Sequence, residues 1–242
     1  DFGPPSLLQI HKFYYLVLSK MEKNPNAIVY YTCSTHSNHM SNGVLFITSF
    51  RMIHLKINPD EAYAPCANLT LKPFRDASTM PCLYDLTAIS CLRGLYRAMQ
   101  LGWYDPSNFN AEQWDIIEQV QNGDMNWIIP HKILAFATPY NTNFLPGGWR
   151  VATPADIVPT FKELGITHII RLCQKFYDEK IFIQAGFKHT ELYFLDGSTP
   201  PLAIREKFLQ IAEGNDVIAL HCKAGLGRTF DSFFIELFAC FI

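Results

Sequence analysis

The chain has 242 residues, enough for one large or two small domains. A hydrophobic share of 49% against a charged share of 17% excludes a disordered chain and supplies a sizeable core. A net charge of −2 argues against a general nucleic-acid binder or a membrane-surface protein, both of which need a basic face.

Asp1 to Pro5 reads as a loop, and Ser6 as the N-cap of a helix running to about Glu22, with Leu7, Ile10, Phe13, Tyr14 and Val17 on one face. Asn24-Pro25-Asn26 is a turn, and Ala27 to Thr32, rich in β-branched and aromatic residues, predicts a strand. Asn42 to Leu55 predicts a buried helix despite its β-branched content, and Asn58-Pro59-Asp60-Glu61 a helix start with proline in the first turn. Asn68 to Met80 is a proline-rich, polar connection, and Tyr84 to Gln100 a helix with Gly102 past its end. Asn110 is placed to cap a helix from Ala111 to about Gln121, before Asn122-Gly123. Asn126 to Ala137 gives two short strands, and Thr153-Pro154 opens a helix ending at Gly165. A strand over Ile166–Leu172, a short helix over Asp178–Ala185, a strand over Phe187–Leu195 and a helix from Pro200 or Pro201 to about Glu213 follow. From residue 154 on, strands alternate with helices, which predicts an α/β layer fold with a mainly parallel sheet.

The most specific stretch comes last. Val217 to Leu220 reads as a buried strand, Phe233 to Phe238 as the start of a helix, and between them stands His221-Cys222-Lys223-Ala224-Gly225-Leu226-Gly227-Arg228-Thr229. A loop turning tightly between strand and helix points successive N–H groups inward and makes an anion nest, to which the helix N-terminus adds its dipole. Gly225 and Gly227 let the backbone curl without Cβ clashes. Arg228 offers a planar fork for two phosphate oxygens. The same field favours the thiolate of Cys222, since thiols in such settings fall from ~8.5 to roughly 3.5–7.5. Thr229 is placed to hydrogen-bond the sulfur and His221 to fix the loop from behind. Lys223, Ala224, Gly225, Leu226, Gly227 and Arg228 form the phosphate-binding run.

The seven cysteines show no paired spacing, which predicts reduced thiols and an intracellular rather than secreted protein. The apolar run Phe233–Ile242 is too short to span a bilayer and contains Glu236, so it reads as a core helix, and no signal-peptide pattern opens the chain. Val29 to Cys33, followed by a polar loop and an apolar helix, faintly echoes the strand–loop–helix at Cys222, but His39 stands where an arginine would be and no glycine lies between. Cys33, His36 and His39 read as a plain polar loop; the competing metal reading has three ligands and no evident fourth.

A thiolate attacking phosphorus must expel an alkoxide, which requires a general acid. Asp196, in Asp196-Gly197-Ser198-Thr199-Pro200 after a strand, suits that role; it equally suits an Asx-turn or a helix cap.

His221 to Thr229 resembles the signature of the Cys-dependent protein tyrosine phosphatase superfamily. Asp1–Pro4, Pro59–Tyr63, Asn122–Ile128, Ala185–Phe187 and Asp196–Pro200 resemble one branch of it, the cell-division-cycle-fourteen dual-specificity phosphatases, and the similarity runs up to Thr229. The resemblance implies an α/β fold of two tandem phosphatase-like domains: residues 1–108 without a catalytic loop, a linker helix over 109–124, and a catalytic domain over 125–242 that is incomplete, the chain reading as truncated at both ends. It makes Asp196 the acid. It implies phosphoprotein partners with Ser-Pro sites and a downstream basic residue, read by an acidic groove of Asp115, Glu118 and Asp124, with Gln121 where a further acid is expected. Phosphotyrosine is also a substrate of such enzymes. No metal or cofactor, no nucleic acid and no membrane are called for. The resemblance further implies a role in cell division and mitotic exit, in the nucleus or nucleolus, the cytoplasm, or at centrosome or spindle.

Two features depart from that pattern: Phe230 stands where the superfamily has glycine, and Asp231 to Ile242 does not resemble the family. They leave open a crippled phosphatase that binds phosphopeptides without hydrolysing them. A phosphoinositide phosphatase shares the loop opening His221–Gly225, but Leu226 lacks the charge a polyanionic head group wants.

Overall fold

The computed structural model describes residues 3–75 and 85–229. Phe230, the helix expected over Phe233–Phe238, the end of the connection to Met80 and the expected helix start at Tyr84 lie outside the described residues. The chain divides into two compact units, Asp1–Ala111 and Glu112–Ile242.

In the first unit, α1 (Leu7–Lys23) starts from a capping box in which Ser6 and Gln9 each bond the other's backbone N–H. α2 (Ser37–Leu55) begins five residues earlier than expected, because the polar turn Ser37–Ser41 is itself helical. α3 (Pro59–Tyr63) is capped by Asn58, and α4 (Ala88–Gln100) by Thr87. Leu45, Met52, Ile53, Leu92 and Leu95 of α2 and α4 build a helical core with Ile10 and Tyr104.

The strand expected over Ala27–Thr32 does not form. Its β propensity finds no partner among the described residues, and Ile28 and Tyr30 stand 77% and 82% exposed. The first unit's described elements are helical apart from an isolated bridge, Phe74 to Leu86, and the mainly parallel sheet of the α/β fold lies in the second unit.

The second unit opens with α5 (Ala111–Ile117), shorter than the helix expected to reach Gln121. Gln119 leaves helical geometry at ψ 135°, the Asn122 side chain donates to the Ile116 carbonyl at 2.8 Å, and a short 3₁₀ turn, Val120–Asn122, ends at left-handed Gly123. The sheet follows: β1 (Asn126–Ile129), β2 (Ile133–Phe136), β3 (His168–Arg171), β4 (Lys188–Glu191) and β5 (Ile218–His221), in the order β1-β2-β5-β3-β4. β1 and β2 form an antiparallel hairpin, and β2, β5, β3 and β4 run parallel. α6 (Pro154–Glu163), α7 (Lys180–Gln184) and α8 (Leu202–Ala212) fill the connections. Period-two alternation sorts the strands into two faces. Leu134, Phe136, Ile169 and Ala219 pack with Ile157 and Phe161 of α6 and Phe182 of α7. Ile133, Ile170, Ile218 and Leu220 pack with Phe208 of α8. A parallel sheet covered on both faces leaves its carboxyl ends as the open edge, and the Cys222 loop leaves β5 there.

Candidate active site

Cys222 follows β5 directly and is buried, 3% exposed. The loop turns through residues 222–226, and a helical turn begins at Gly227. Only one of its two glycines is required by the backbone. Gly225 has φ +71°, and a Cβ on it would lie 2.5 Å from the Phe136 carbonyl oxygen at the end of β2. Gly227 has open space around it and no left-handed φ, so the expectation that both glycines relieve Cβ clashes is corrected to Gly225 alone.

Burial opposes ionisation of Cys222 and is the largest single influence on it. The Thr229 hydroxyl and the amides of Thr229, Gly225 and Leu226 together outweigh that burial and hold the thiol below its ordinary value. The Thr229 Oγ1 is buried, and its influence on the sulfur is the first of those that favour the thiolate.

The Arg228 side chain is buried, its Nη1 donating to the Phe194 carbonyl at 3.3 Å. Its Nε stands 3.2 Å from Asp196 Oδ1, at ion-pair distance but without hydrogen-bond alignment. The Asp196 side chain is 72% exposed. Its two bland alternatives are not used: Pro201 occupies the N-cap of α8, and the 195–198 turn is closed by the Ser198 amide and hydroxyl on the Leu195 carbonyl. Lys223, Ala224, Leu226 and Gly227 are exposed around the loop, and Gly225 is buried beneath it.

His221 sits behind the loop, fully buried, and its support was not visible in the sequence. Its Nδ1 lies 2.9 Å from the Cys222 carbonyl oxygen and its Nε2 2.8 Å from the Tyr177 hydroxyl, which is also 2.9 Å from His189 Nε2. Burial pushes His221 down to about 3 and His189 down to about 4, so both rings are neutral near pH 7. One proton arrangement then satisfies every contact. His221 Nδ1–H donates to the Cys222 carbonyl, Tyr177 O–H donates to His221 Nε2, and His189 Nε2–H donates to the Tyr177 oxygen.

Arg171 anchors this relay. It is 2% exposed, and its guanidinium lies over the Tyr177 ring at 4.6 Å. Its Nη1 donates to the Tyr177 carbonyl at 3.2 Å, its Nε donates to Glu191 at 2.9 Å, and its Nη2 donates to Glu191 and Glu179. The β3–β4 register places Arg171 directly opposite Glu191. Tyr177, His189 and Arg171 come from a loop and two strands, and no local spacing joins them to Cys222.

The three acidic residues lie apart from this loop in sequence. Asp115 is exposed on α5. Glu118, half-buried, continues the helical turn through its amide bond to the Trp114 carbonyl at 3.0 Å. Asp124 follows the 3₁₀ turn with φ +48°, and burial pushes its carboxyl up. In the first unit, the His36 and His39 rings stand 5.0 Å apart. Among the described residues no group of three or more His, Cys, Asp or Glu side chains is arranged to hold a metal ion.

A family model described as dual specificity protein phosphatase, N-terminal half, matches residues 1–98. A second, described as polymorphic toxin system, DSP-PTPase phosphatase, matches residues 147–236. Dual specificity protein phosphatase CDC14A of Mus musculus is 39% identical over 249 residues, covering 100% of this chain and 40% of that protein. The chain is a homologue of the Cdc14 dual-specificity phosphatases over its whole length. The Homo sapiens Cdc14 protein CDC14A is 38% identical over 249 residues, with 41% of it covered. The Schizosaccharomyces pombe Cdc14 homologue is 33% identical over 248 residues, covering 95% of this chain and 45% of that protein. The chain thus spans about four-tenths to half of the length of these Cdc14 relatives.

Proposed function

We propose that this chain carries a Cys-dependent dual-specificity protein phosphatase activity. It would hydrolyse phosphoserine and phosphothreonine, preferring phospho-Ser-Pro with a downstream basic residue, and phosphotyrosine, through a phosphocysteine intermediate. One observation carries the reading: a buried thiol held below its ordinary pKa by Thr229 and loop amides, with the guanidinium of Arg228 bridging toward the carboxylate of Asp196.

In this reading the loop amides and Arg228 bind the phosphoryl oxygens, the phosphate displaces Asp196 from the guanidinium, and the freed, exposed carboxylate takes up a proton from solvent. The Cys222 thiolate attacks phosphorus in line, the P–O bond to the seryl or phenolic oxygen breaks, and Asp196 gives that oxygen its proton. Asp196, now a carboxylate, takes a proton from water as the water oxygen attacks phosphorus and the S–P bond breaks, releasing phosphate and the thiolate. The chemistry calls for no metal or cofactor. Leu195 and Leu226, 67% and 48% exposed beside the acid and in the loop, offer apolar surface to a prolyl ring. Asp115, Glu118 and Asp124 would meet the downstream basic residue.

Single-turnover phosphate release from a phospho-Ser-Pro-x-Lys peptide, beside a Cys222→Ser control, tests the reading. Release that disappears in the control supports it. Retained peptide binding without release by either protein replaces it with a phosphopeptide-binding module, and preferential release from soluble inositol phosphates moves the substrate class.

A further inference from the structure

The amino end of the sheet, opposite the Cys222 loop, holds a second cluster of proton-transferring side chains that the chemistry above does not use. Parallel pairing sets His168, the first residue of β3, opposite Lys188, the first of β4, and Ile170 opposite Thr190. Ile170 faces α8, so alternation puts His168, Lys188 and Thr190 on that same face. Asp216 joins them from the chain just before β5. The bonds run in one line. Asp216 Oδ2 lies 3.2 Å from His168 Nδ1, and His168 Nε2 lies 2.8 Å from the Thr190 hydroxyl. A carboxylate only accepts, so Nδ1 carries a proton, and in the neutral ring Nε2 is left to accept from the Thr190 O–H.

Asp216 is itself fixed. Lys188 Nζ donates to both of its oxygens at 2.9 and 3.0 Å, and the Thr167 hydroxyl donates at 3.0 Å. The Lys188 bond first, then those of His168 and Thr167, hold its carboxyl down at about 2 against burial. Hydroxyl, base and orienting carboxylate are the three parts of an acyl-transfer triad, which is recognised by geometry and not by chain order. The hydroxyl is within reach of solvent: Thr190 is half-buried, and along its face of β4 exposure rises from Leu192, at 3%, to the Lys188 side chain, at 65%. β4 ends the sheet on this side. The Lys188 and Leu192 amides donate to the Thr167 and Arg171 carbonyls, so alternation turns the Glu191 amide to the open edge. That amide, on the residue after the hydroxyl, is a backbone donor for a carbonyl oxygen, and Lys188 adds a positive charge on the hydroxyl's own face.

We propose that Thr190, His168 and Asp216 form an acyl-transfer site for small activated carboxylic esters. The Thr190 oxygen attacks the carbonyl carbon as its proton passes to His168 Nε2. The bond to the leaving oxygen breaks, Nε2 gives that oxygen the proton, and the acyl group stays on Thr190 as an ester. Nε2 then takes a proton from water as the water oxygen adds to the carbonyl carbon. The bond to the Thr190 oxygen breaks, and that oxygen recovers its proton. One ester and one water give one acid and one alcohol, with no oxidant or reductant. The site lies about 13 Å, the length of β5 at ~3.3 Å per residue, from the Cys222 loop and does not depend on it.

The full chain carrying Cys222→Ser, which removes the competing thiol, is mixed with p-nitrophenyl acetate, quenched at short times and mapped by peptide mass spectrometry with fragmentation. The expected result is an acetyl group on Thr190, formed at least ~10²-fold faster in the native chain than in the chain unfolded in urea, with a matching burst of p-nitrophenolate. Thr190→Ser should keep the burst, Thr190→Val should abolish it, and Asp216→Asn should slow it roughly 10²–10⁴-fold. Acetyl groups confined to lysines and cysteines, or Thr190 acetylated equally fast in native and unfolded chain, would overturn the proposal. The three residues would then be a structural link between β3, β4 and the turn before β5. Neither of those results needs a substitution in the cluster, so a variant that fails to fold does not shelter the proposal. A burst that survives undiminished in folded Thr190→Val overturns it as well.

Discussion

Gly225→Ala perturbs the loop at its tightest point. The new Cβ would lie 2.5 Å from the Phe136 carbonyl oxygen and 2.7 Å from its carbon, whereas such contacts essentially never fall under 3.0 Å. Phe136 cannot retreat cheaply. It is fully buried, pairs with His221 across the β2–β5 ladder, and packs its ring on Phe161 and His221 at 5.0 and 4.6 Å. The next amide, Ala137, is held by the Gly123 carbonyl at 2.8 Å. A left-handed φ adds about 1–2 kcal/mol for a residue with a Cβ. Overpacking a fixed neighbour adds about 1–3 kcal/mol. The total of about 2–5 kcal/mol is a large part of the ~5–15 kcal/mol that holds a domain folded. The softer response is for the loop to lift away, which takes the Gly225 and Leu226 amides from the sulfur and raises the Cys222 pKa. Urea unfolding should show the stability loss. The pH profile of iodoacetamide labelling at Cys222 should move to higher pH, and phosphate release should fall roughly a hundredfold or more. A variant with unchanged unfolding and an unchanged labelling profile would refute the argument, because the Phe136 carbonyl would then not be fixed.

Three further outcomes are expected. Tyr177→Phe removes the hydroxyl shared by His221 and His189 and leaves two buried ring nitrogens unsatisfied, at about 1–3 kcal/mol each. Urea unfolding should register that loss with a fall in kcat, and a loss under about 0.5 kcal/mol would remove the relay from the account. Asp196→Asn should slow phosphoseryl peptide hydrolysis about 10²–10⁴-fold and p-nitrophenyl phosphate hydrolysis far less, since nitrophenolate leaves without a proton; equal losses on both substrates would sink the acid role. Acid should unfold the chain early. His221 and His189 are pushed down to about 3 and about 4 from an unfolded value near 6.5, so below pH ~6.5 the unfolded state binds protons that the folded state refuses. Their contribution is complete above pH ~6.5 and is lost as pH falls toward the folded values of about 3 and about 4, on the order of 4 kcal/mol between pH 7.5 and 5 by urea titration; a flat profile there would contradict the burial of both rings.

What was legible in the sequence was local. Cys222 and Arg228 lie in one loop, so the whole run, with its two glycines and the strand in front, could be read as a nest for an anion. The alternation of apolar strands and capped helices after Thr153 specified a parallel sheet, with Thr153 and Asp156 closing a capping box at α6. What was not legible depended on a partner far along the chain. Gly225 and Gly227 look alike in sequence, and only the Phe136 carbonyl distinguishes them. Tyr177, His189 and Arg171 read as ordinary members of a loop and two strands, because their meaning arises from the β3–β4 register and from the loop that folds Tyr177 over Arg171. Ala27 to Thr32 fails for the converse reason. Its propensity was readable, but a strand exists only where another strand takes its N–H and C=O groups.

The loop's carbonyls explain why such distant residues matter to the thiolate. In a trans peptide the C=O of one residue and the N–H of the next point in opposite directions. The Cys222 carbonyl is drawn to His221 Nδ1, and the Lys223 carbonyl to the Thr138 amide. Each tie turns a carbonyl outward and so aims the following N–H, of Lys223 and of Ala224, away from that tie. The loop proposed to bind phosphate is therefore held from behind, by one imidazole whose tautomer Tyr177 and His189 fix and by one backbone amide just past β2. Neither tie needs a bound phosphate, so in the proposed function the donors stand in place before substrate arrives, and the cost of ordering them falls on folding instead of on binding. The fully buried His221 ring and the left-handed turn at Gly225 are parts of that same investment in structure, made where the sheet's carboxyl end meets the loop.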